Sequence, residues 1–176
     1  MPGIGDPRFE RAVIAMCVHD DDGALGLMIN RPHPTMTVRD LMIQLDIDPQ
    51  ATPDIAVMDG GPVEPGRGFV LHSPDYAGQG TITVGSPNGV RWGLTSTIDV
   101  LRAIADGHGP RHWLATLGYT GWSAGQLDAE LLRHGWHSGN GDDEIVFDTP
   151  AERCWLRAFA NFGIDVGHLS ATAGTA

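Results

Sequence analysis

The chain has 176 residues, with 22 acidic side chains against 11 cationic ones, every cation an arginine, for a formal net charge of −11. That balance lacks the basic face that grips nucleic-acid phosphates and disfavours an anionic membrane surface. A hydrophobic share of 41% and a charged share of 19% belong to a folded chain rather than a disordered one. The length fits a single domain spanning residues 1–176, large enough to bury a core without a disulfide or metal staple.

No apolar run reaches membrane-spanning length, and Met1 to Asp6 has neither a basic start nor an apolar segment, so no secretion signal is expected. Ala12–His19 is a short apolar run and reads as a buried strand. Asp20 to Gly23 is a hairpin turn rather than a calcium loop, because the alternating ligands and the distal Glu are missing. Leu25–Asn30 is the returning strand, stopped by Pro32 and Pro34. Thr37 and Asp40 have capping-box spacing, and Val38, Leu41, Met42 and Leu45 form one apolar helical stripe. Strands follow at Ile55–Met58, Phe69–His72 and Thr81–Val84, with Val90–Leu94 as a hairpin partner across Pro87-Asn88-Gly89.

The spacing from Ser96 to Asp99 starts a second helix, faced by Ile98, Leu101, Ile104 and Ala105 and stopped by Gly107. His112–Leu117 reads as a strand. Ser123 is expected to cap a third helix, with Gln126 closing the box and Leu127 and Leu131 facing inward. Glu144–Phe147 reads as a strand. Thr149, Pro150 and Glu152 combine a cap, a proline at the first helical position and an acid at the third, and so start a fourth helix carrying Trp155, Ala158, Phe159 and Phe162. The predicted class is α+β: a compact domain with a mixed, mostly antiparallel, bulged sheet and about four helices. Ser170 to Ala176 is expected to fray.

Gly121-Trp122-Ser123-Ala124-Gly125 has the spacing of a nucleophile elbow, and Asp148 and His168 follow in hydrolase order. A helix cap explains Ser123 as well, and the hairpins do not suit a doubly wound hydrolase. His108/His112 and His134/His137 are interrupted by glycine or proline and have no cysteine nearby, so no metal site is expected. His72, at a strand end, reads as a histidine bonded to its neighbouring loop rather than as a base. The glycines at Gly60, Gly61, Gly66 and Gly68 lead toward strands, unlike a phosphate cradle. Trp113, Tyr119, Trp122 and Trp136 could line a pocket, but aromatics at strand ends usually fill cores. Cys17 and Cys154 stand alone in apolar patterns and are expected to be buried free thiols of a cytoplasmic protein.

The order of several strings carries a resemblance. Asp6-Pro7-Arg8-Phe9, Gly23-Ala24-Leu25-Gly26 and Ile29-Asn30-Arg31-Pro32 come first. Gly60-Gly61-Pro62-Val63 and Gly68-Phe69-Val70-Leu71-His72-Ser73 follow, and then Leu117-Gly118-Tyr119, Gly121-Trp122 and Gly125-Gln126-Leu127. Together they resemble the YqgE/AlgH family of small bacterial cytoplasmic proteins over essentially the whole chain. The resemblance implies a compact α+β fold around a bulged, largely antiparallel sheet. It also carries the label of transcriptional regulator, given through alginate control in one member, but neither established catalytic residues nor a helix-turn-helix.

It points to Asn30, Arg31, Gly60, Gly61, His72, Tyr119, Trp122 and Gln126 as a candidate binding surface. The expected protein is non-enzymatic and regulatory, with no cofactor, and binds a protein or small molecule. Direct DNA binding and a Ser123 hydrolase are the alternatives. Two departures from the family pattern stand out. Met1-Pro2 looks like the end of an apolar stretch, so the family's first strand is expected to be missing and a sheet edge left unpaired. The chain also ends Ala173-Gly174-Thr175-Ala176, where the family tends to have a histidine.

Overall fold

A computed structural model describes residues 6–50, 52–86, 89–133 and 135–164. The chain opens with a single 3-10 turn at Pro7–Phe9, then forms the hairpin β1 (Ile14–Asp20) and β2 (Gly23–Met28). At its turn the Asp22 N–H donates to Asp20 Oδ1 at 3.0 Å, which makes the aspartates a self-bonded turn, as expected. The chain continues through β3 (Pro32–Thr37), α1 (Val38–Gln44), β4 (Ala56–Asp59), β5 (Val63–His72), β6 (Ile82–Ser86) and β7 (Gly89–Thr95). Then come α2 (Asp99–Ala105), β8 (Trp113–Ser123), α3 (Gln126–Leu132), a π-helical turn at Glu144–Asp148 and α4 (Ala151–Asn161). The expected α+β class holds.

The eight strands form one sheet running β1-β2-β8-β5-β7-β6, with β3 and β4 to one side. Every pair is antiparallel except β4 with β8. Strand β8 is the axis. One of its edges carries β5, while the other carries β4 at Thr116 and Leu117 and then β2 from Thr120 to Ser123. Among the described residues the end strands β1 and β6 approach each other without pairing, so the sheet curls into a nearly closed barrel.

The change of partner along β8 is made by glycine. The Gly60 N–H donates to the Leu117 carbonyl at 2.8 Å, and the Gly60 carbonyl accepts the Met28 N–H at 2.9 Å. Gly118 and Gly61 both lie at positive φ, 71° and 151°. A Cβ on Gly61 would stand 2.2 Å from the Tyr119 carbonyl carbon, and one on Gly118 would stand 2.4 Å from the Gly61 carbonyl oxygen. Backbone passes backbone here too closely for any side chain.

Three buried clusters fill the layers. Leu27, Phe69, Leu71, Trp92, Leu114 and Ile145 pack inside the curl of the sheet. Val38 and Met42 of α1 and Val100 and Leu101 of α2 cover its other face against Val57, Val70 and Ala115. Helix α3 sets Leu127 against Ala24 and Trp122. The capping box of α1 is formed as expected: the Thr37 hydroxyl accepts the Asp40 N–H, and the Asp40 carboxylate accepts the Thr37 N–H.

The returning strand β2 ends at Met28, before Pro32 and Pro34, as expected; the prolines themselves sit in a further strand, β3, which among the described residues pairs with β4 alone, and an edge strand tolerates the missing N–H. Three local expectations are corrected. Glu144–Phe147 is not a strand: Ile145 and Val146 are neighbours yet both buried, which a π-helical turn allows and an alternating strand does not. Ser123 does not cap α3; it ends β8, and Gly125 in the left-handed conformation takes the cap position. Thr149 does not cap α4 either, because its hydroxyl donates backward to the Glu144 carbonyl at 2.8 Å and leaves Pro150 as the boundary. The expectations for Ser170 to Ala176 and for His168 lie outside the described residues.

Candidate ligand-binding cleft

The residues singled out from sequence fall into three places. Asn30, Arg31, Gly60, Gly61 and Tyr119 gather at the glycine crossing and hold the fold together there. Asn30 Oδ1 accepts the Val13 N–H at 2.8 Å and its Nδ2 donates to the Arg11 carbonyl at 2.9 Å, which clamps the segment entering β1. The Arg31 guanidinium donates to the Glu10 carbonyl, and the Arg31 carbonyl accepts the Asp59 N–H at 2.7 Å. Tyr119 meets Phe69 edge to face.

His72 is fully buried and so lies on no surface. Its Nδ1 donates to the Ser73 carbonyl at 2.8 Å, which leaves Nε2 to accept the Thr95 hydroxyl at 2.9 Å. These partners hold a neutral imidazole in one tautomer. Its ring lies against Gly93, where a Cβ would come within 2.2 Å of Cε1. Burial lowers its pKa below the ordinary 6.5, against the opposing pull of the Ser73 carbonyl and the Asp75 charge. The unfolded chain therefore takes up this proton first, and the stability held by neutral His72 is complete above 6.5 and lost as pH falls toward the folded value. Urea unfolding on both sides of that pH checks this: His72→Gln is expected to lose less stability on acidification than the unsubstituted protein.

Trp122 and Gln126 form the third group, around Glu130. The indole N–H groups of Trp122 and Trp136 both donate to Glu130 Oε2, at 2.9 and 2.7 Å. Gln126 donates to Glu130 Oε1 at 2.9 Å, and its own oxygen accepts the Ser123 N–H at 3.0 Å and hydroxyl at 3.1 Å. Partial burial pushes the Glu130 carboxyl up, but the hydrogen bonds from Trp136, Gln126 and Trp122 outweigh it and hold the pKa below its usual value. Ser123 is thus tied to an amide rather than a base. Asp148 lies 3.8 Å from His112, so the elbow reading gains no partner among the described residues.

Trp122 and Trp136 also form one wall of a cleft of about 660 Å³ that wraps the outer edge of β1. Trp92, Trp155, Phe159 and Phe162 supply the rest of its aromatic lining. The segment from Trp136 to Asp143 closes the cleft between α3 and α4. Its glycines lie flat on aromatic rings: a Cβ on Gly141 would meet Trp92 at 2.5 Å, and one on Gly139 would strike Phe162. Asp142 accepts Asn161 Nδ2 at 2.6 Å, and Asp143 accepts the Trp92 indole N–H at 2.9 Å. Arg157 pairs with Glu144 at 3.0 Å and fixes the far end of the segment.

Of the eight residues singled out, only Trp122 lines this cleft. Trp155, Phe159 and Phe162 are joined in sequence as the apolar stripe of α4, which reads as core packing, and Trp92 lies far from them on β7, so no sequence spacing points to a shared cleft. Cys17 and Cys154 are buried free thiols, as expected. Burial pushes the Cys17 thiol up to about 12, far from a reactive thiolate. Among the described residues no group of His, Cys, Asp and Glu side chains is placed to hold a metal ion, and no helix is long and apolar enough to cross a membrane.

A family model described as AlgH-like matches residues 1–167. The chain belongs to the AlgH-like family. A UPF0301 protein of Rhizorhabdus wittichii is 53% identical over 176 residues, all of this chain and 92% of the relative. One of Sphingopyxis alaskensis is 52% identical over the same shares. The solution structure of AlgH from Pseudomonas aeruginosa superposes with a TM-score of 0.79 at 40% identity, over all of this chain and 92% of that one. A protein of Corynebacterium diphtheriae, 17% identical with a TM-score of 0.67 over 91% of this chain and 82% of that one, shares the fold. The strings that drew the resemblance, Asn30-Arg31, Gly60-Gly61 and Gly118-Tyr119, mark the crossing on which this AlgH-like sheet turns.

Proposed function

We propose that this AlgH-like chain is a non-enzymatic, cytoplasmic binding protein of regulatory type, whose ligand or partner occupies the cleft along β1. The observation that carries the reading is the cleft itself. Its volume of about 660 Å³ lies within the range of ligand sites, and its wall is aromatic with a few polar groups at the rim. The residues that might have made an enzyme are otherwise engaged: Ser123 is bonded to Gln126, His72 is fully buried, and both cysteines are buried. Two free thiols fit a reducing compartment. A net charge of −11 argues against direct contact with DNA as the regulatory route.

Titration with an anilinonaphthalene sulfonate dye, which brightens in apolar clefts, tests the site. Gly85 lines the cleft with nothing within 4 Å of an added Cβ, so Gly85→Phe adds a ring there without a clash. The dye is expected to bind the unsubstituted protein at a saturable site and to bind Gly85→Phe about tenfold more weakly, a difference of about 1.4 kcal/mol. Equal binding by the two proteins, or none, overturns the reading, as does retardation of duplex DNA or labelling of Ser123 by a serine-reactive probe.

A further inference from the structure

Histidine is the side chain whose ordinary titration falls near neutrality, and His72 is enclosed rather than displayed. It lies outside the cleft, on β5 between Gly93 of β7 and Trp113 of β8. Neither His72 nor Thr95 beside it is exposed at all. Thr95 leads on to a second hydroxyl, Thr81 Oγ1, at 2.7 Å. Thr81 is half-buried and flanked by the exposed Gly80 and Ile82, so the three side chains run from the interior toward the surface.

The direction of each hydrogen bond in this chain is fixed. The Ser73 carbonyl has no proton to give, so Nδ1 donates to it and Nε2 is bare. The Thr95 hydroxyl therefore donates to Nε2 at 2.9 Å, and with its proton spent it accepts from Thr81. A second proton on the ring turns Nε2 into a donor as well. Two donors then face each other unless Thr95 turns its own proton around, and Thr81 Oγ1 stands where it can accept it. The protons balance in a simple way. One enters from water at Thr81 Oγ1, the former Thr81 proton moves to Thr95 Oγ1, and the former Thr95 proton arrives on Nε2. Both bonds reverse and neither is lost, so no buried donor is left without an acceptor in either charge state.

Few charges face the ring. The loop after β5 brings Tyr76, which meets His72 edge to face at 5.4 Å, and Asp75, whose charge favours a protonated ring. Asp75 accepts the Ser73 hydroxyl, and it accepts the Arg111 N–H and meets the Arg111 guanidinium, both at 3.3 Å. The His112 imidazole is turned to Asp148 instead. Helices α1 and α2 pack over Val70 of the same strand. Their charges are engaged elsewhere: Arg39 with the Thr52 carbonyl, Asp40 with Thr37, and Asp99 with Arg102. From β7 and the start of β6, Gly93, Thr95 and Thr81 bring none.

We propose that His72, Thr95 and Thr81 form a proton-sensing switch in the sheet: the buried imidazole takes up one proton from water along the two hydroxyls while the protein stays folded, and the new charge acts on Asp75 and through it on Arg111.

An NMR titration of protein carrying nitrogen-labelled histidine tests the switch. In the unsubstituted protein Nε2 of His72 is expected to be bare above pH 6.5 and to gain its proton reversibly below it. The backbone spectrum is expected to remain that of the folded protein, with the Asp75 and Arg111 amides shifting at the same midpoint. Thr81→Val keeps the bond from Thr95 to the neutral ring and removes only the acceptor that the charged state needs. It is expected to weaken proton binding several-fold and move the midpoint to lower pH, while Thr81→Ser titrates like the unsubstituted protein. Asp75→Asn, at an exposed position, is expected to move the midpoint the same way by removing the attracting charge.

A proton on Nε2 in place of Nδ1 in the neutral form overturns the proposal. So does a ring that gains its second proton only as the fold is lost, or a midpoint that Thr81→Val leaves where it was. If Thr81→Val fails to fold, the tautomer and folded-state titration of the unsubstituted protein and the shift in Asp75→Asn decide the matter, and an unmoved midpoint in Asp75→Asn overturns the link to Arg111.

Discussion

Gly61→Ala is expected to destabilise the protein by about 3 to 4 kcal/mol, which for a chain of this length lowers the melting midpoint by roughly 10 °C. Two costs add. A side chain in the left-handed region costs roughly 1–2 kcal/mol, and forcing extra atoms into packed structure costs roughly 1–3 kcal/mol. Here the φ is 151°, and the obstacle is the backbone of Tyr119 and Thr120, which no rotamer change relieves. Gly118→Ala faces the Gly61 carbonyl across the same crossing and is expected to lose a similar amount. Gly66→Ala is the control: nothing lies within 4 Å of its added Cβ, and its stability is expected within about 0.5 kcal/mol of the original. Thermal and urea melts that leave Gly61→Ala level with Gly66→Ala contradict the crossing as described.

Glu130→Ala is expected to cost about 2 kcal/mol and to loosen the wall of the cleft. One carboxylate accepts two indole N–H groups and an amide N–H. Its removal leaves part-buried donors without their acceptor, at roughly 1–3 kcal/mol for a fully buried one. The acid dependence has a definite sign. The carboxyl is held below its ordinary 4.5, so its contribution is present above that pH and is lost as pH falls through the folded value. Acid unfolding of Glu130→Ala is therefore expected to be shallower than that of the unsubstituted protein below about 4.5. Trp136 also meets Phe9 and Trp122 edge to face, so its indole signal reports the loosening directly.

Local features were legible where one stretch of sequence carries its own physics. The Asp20–Gly23 turn, the Thr37/Asp40 box and the apolar stripe of α2 need no distant partner to form. The elements that depend on distant partners were not legible. The prolines of β3 are acceptable because among the described residues β3 pairs with β4 alone, and no local pattern reveals which strand will be an edge. Ile145 and Val146 read as a strand, but the curl of the sheet calls for two adjacent buried side chains at that point.

The same reasoning separates the site from the motifs. Asn30, Gly60, Gly61 and Tyr119 stood out as strings because a backbone crossing constrains them tightly. His72 stood out as a strand-end histidine, and only its fit against Gly93 and Thr95 reveals burial. The cleft left little trace because an edge of β1, two helices and a glycine-rich segment build it together. Of the four aromatics Trp113, Tyr119, Trp122 and Trp136, the cleft brings Trp122 and Trp136 to one wall, whereas Tyr119 and Trp113 pack against the two larger cores.

The five tryptophans give the most direct test. Trp92, Trp122, Trp136 and Trp155 line the cleft, while Trp113 packs in the separate core beneath α1 and α2. In nitrogen-edited NMR spectra, the dye is expected to shift the indole N–H signals of the four cleft tryptophans and leave that of Trp113 in place. A shift centred on Trp113, or on the crossing around Asn30 and Gly60 with the four others unmoved, contradicts the cleft as the site of function.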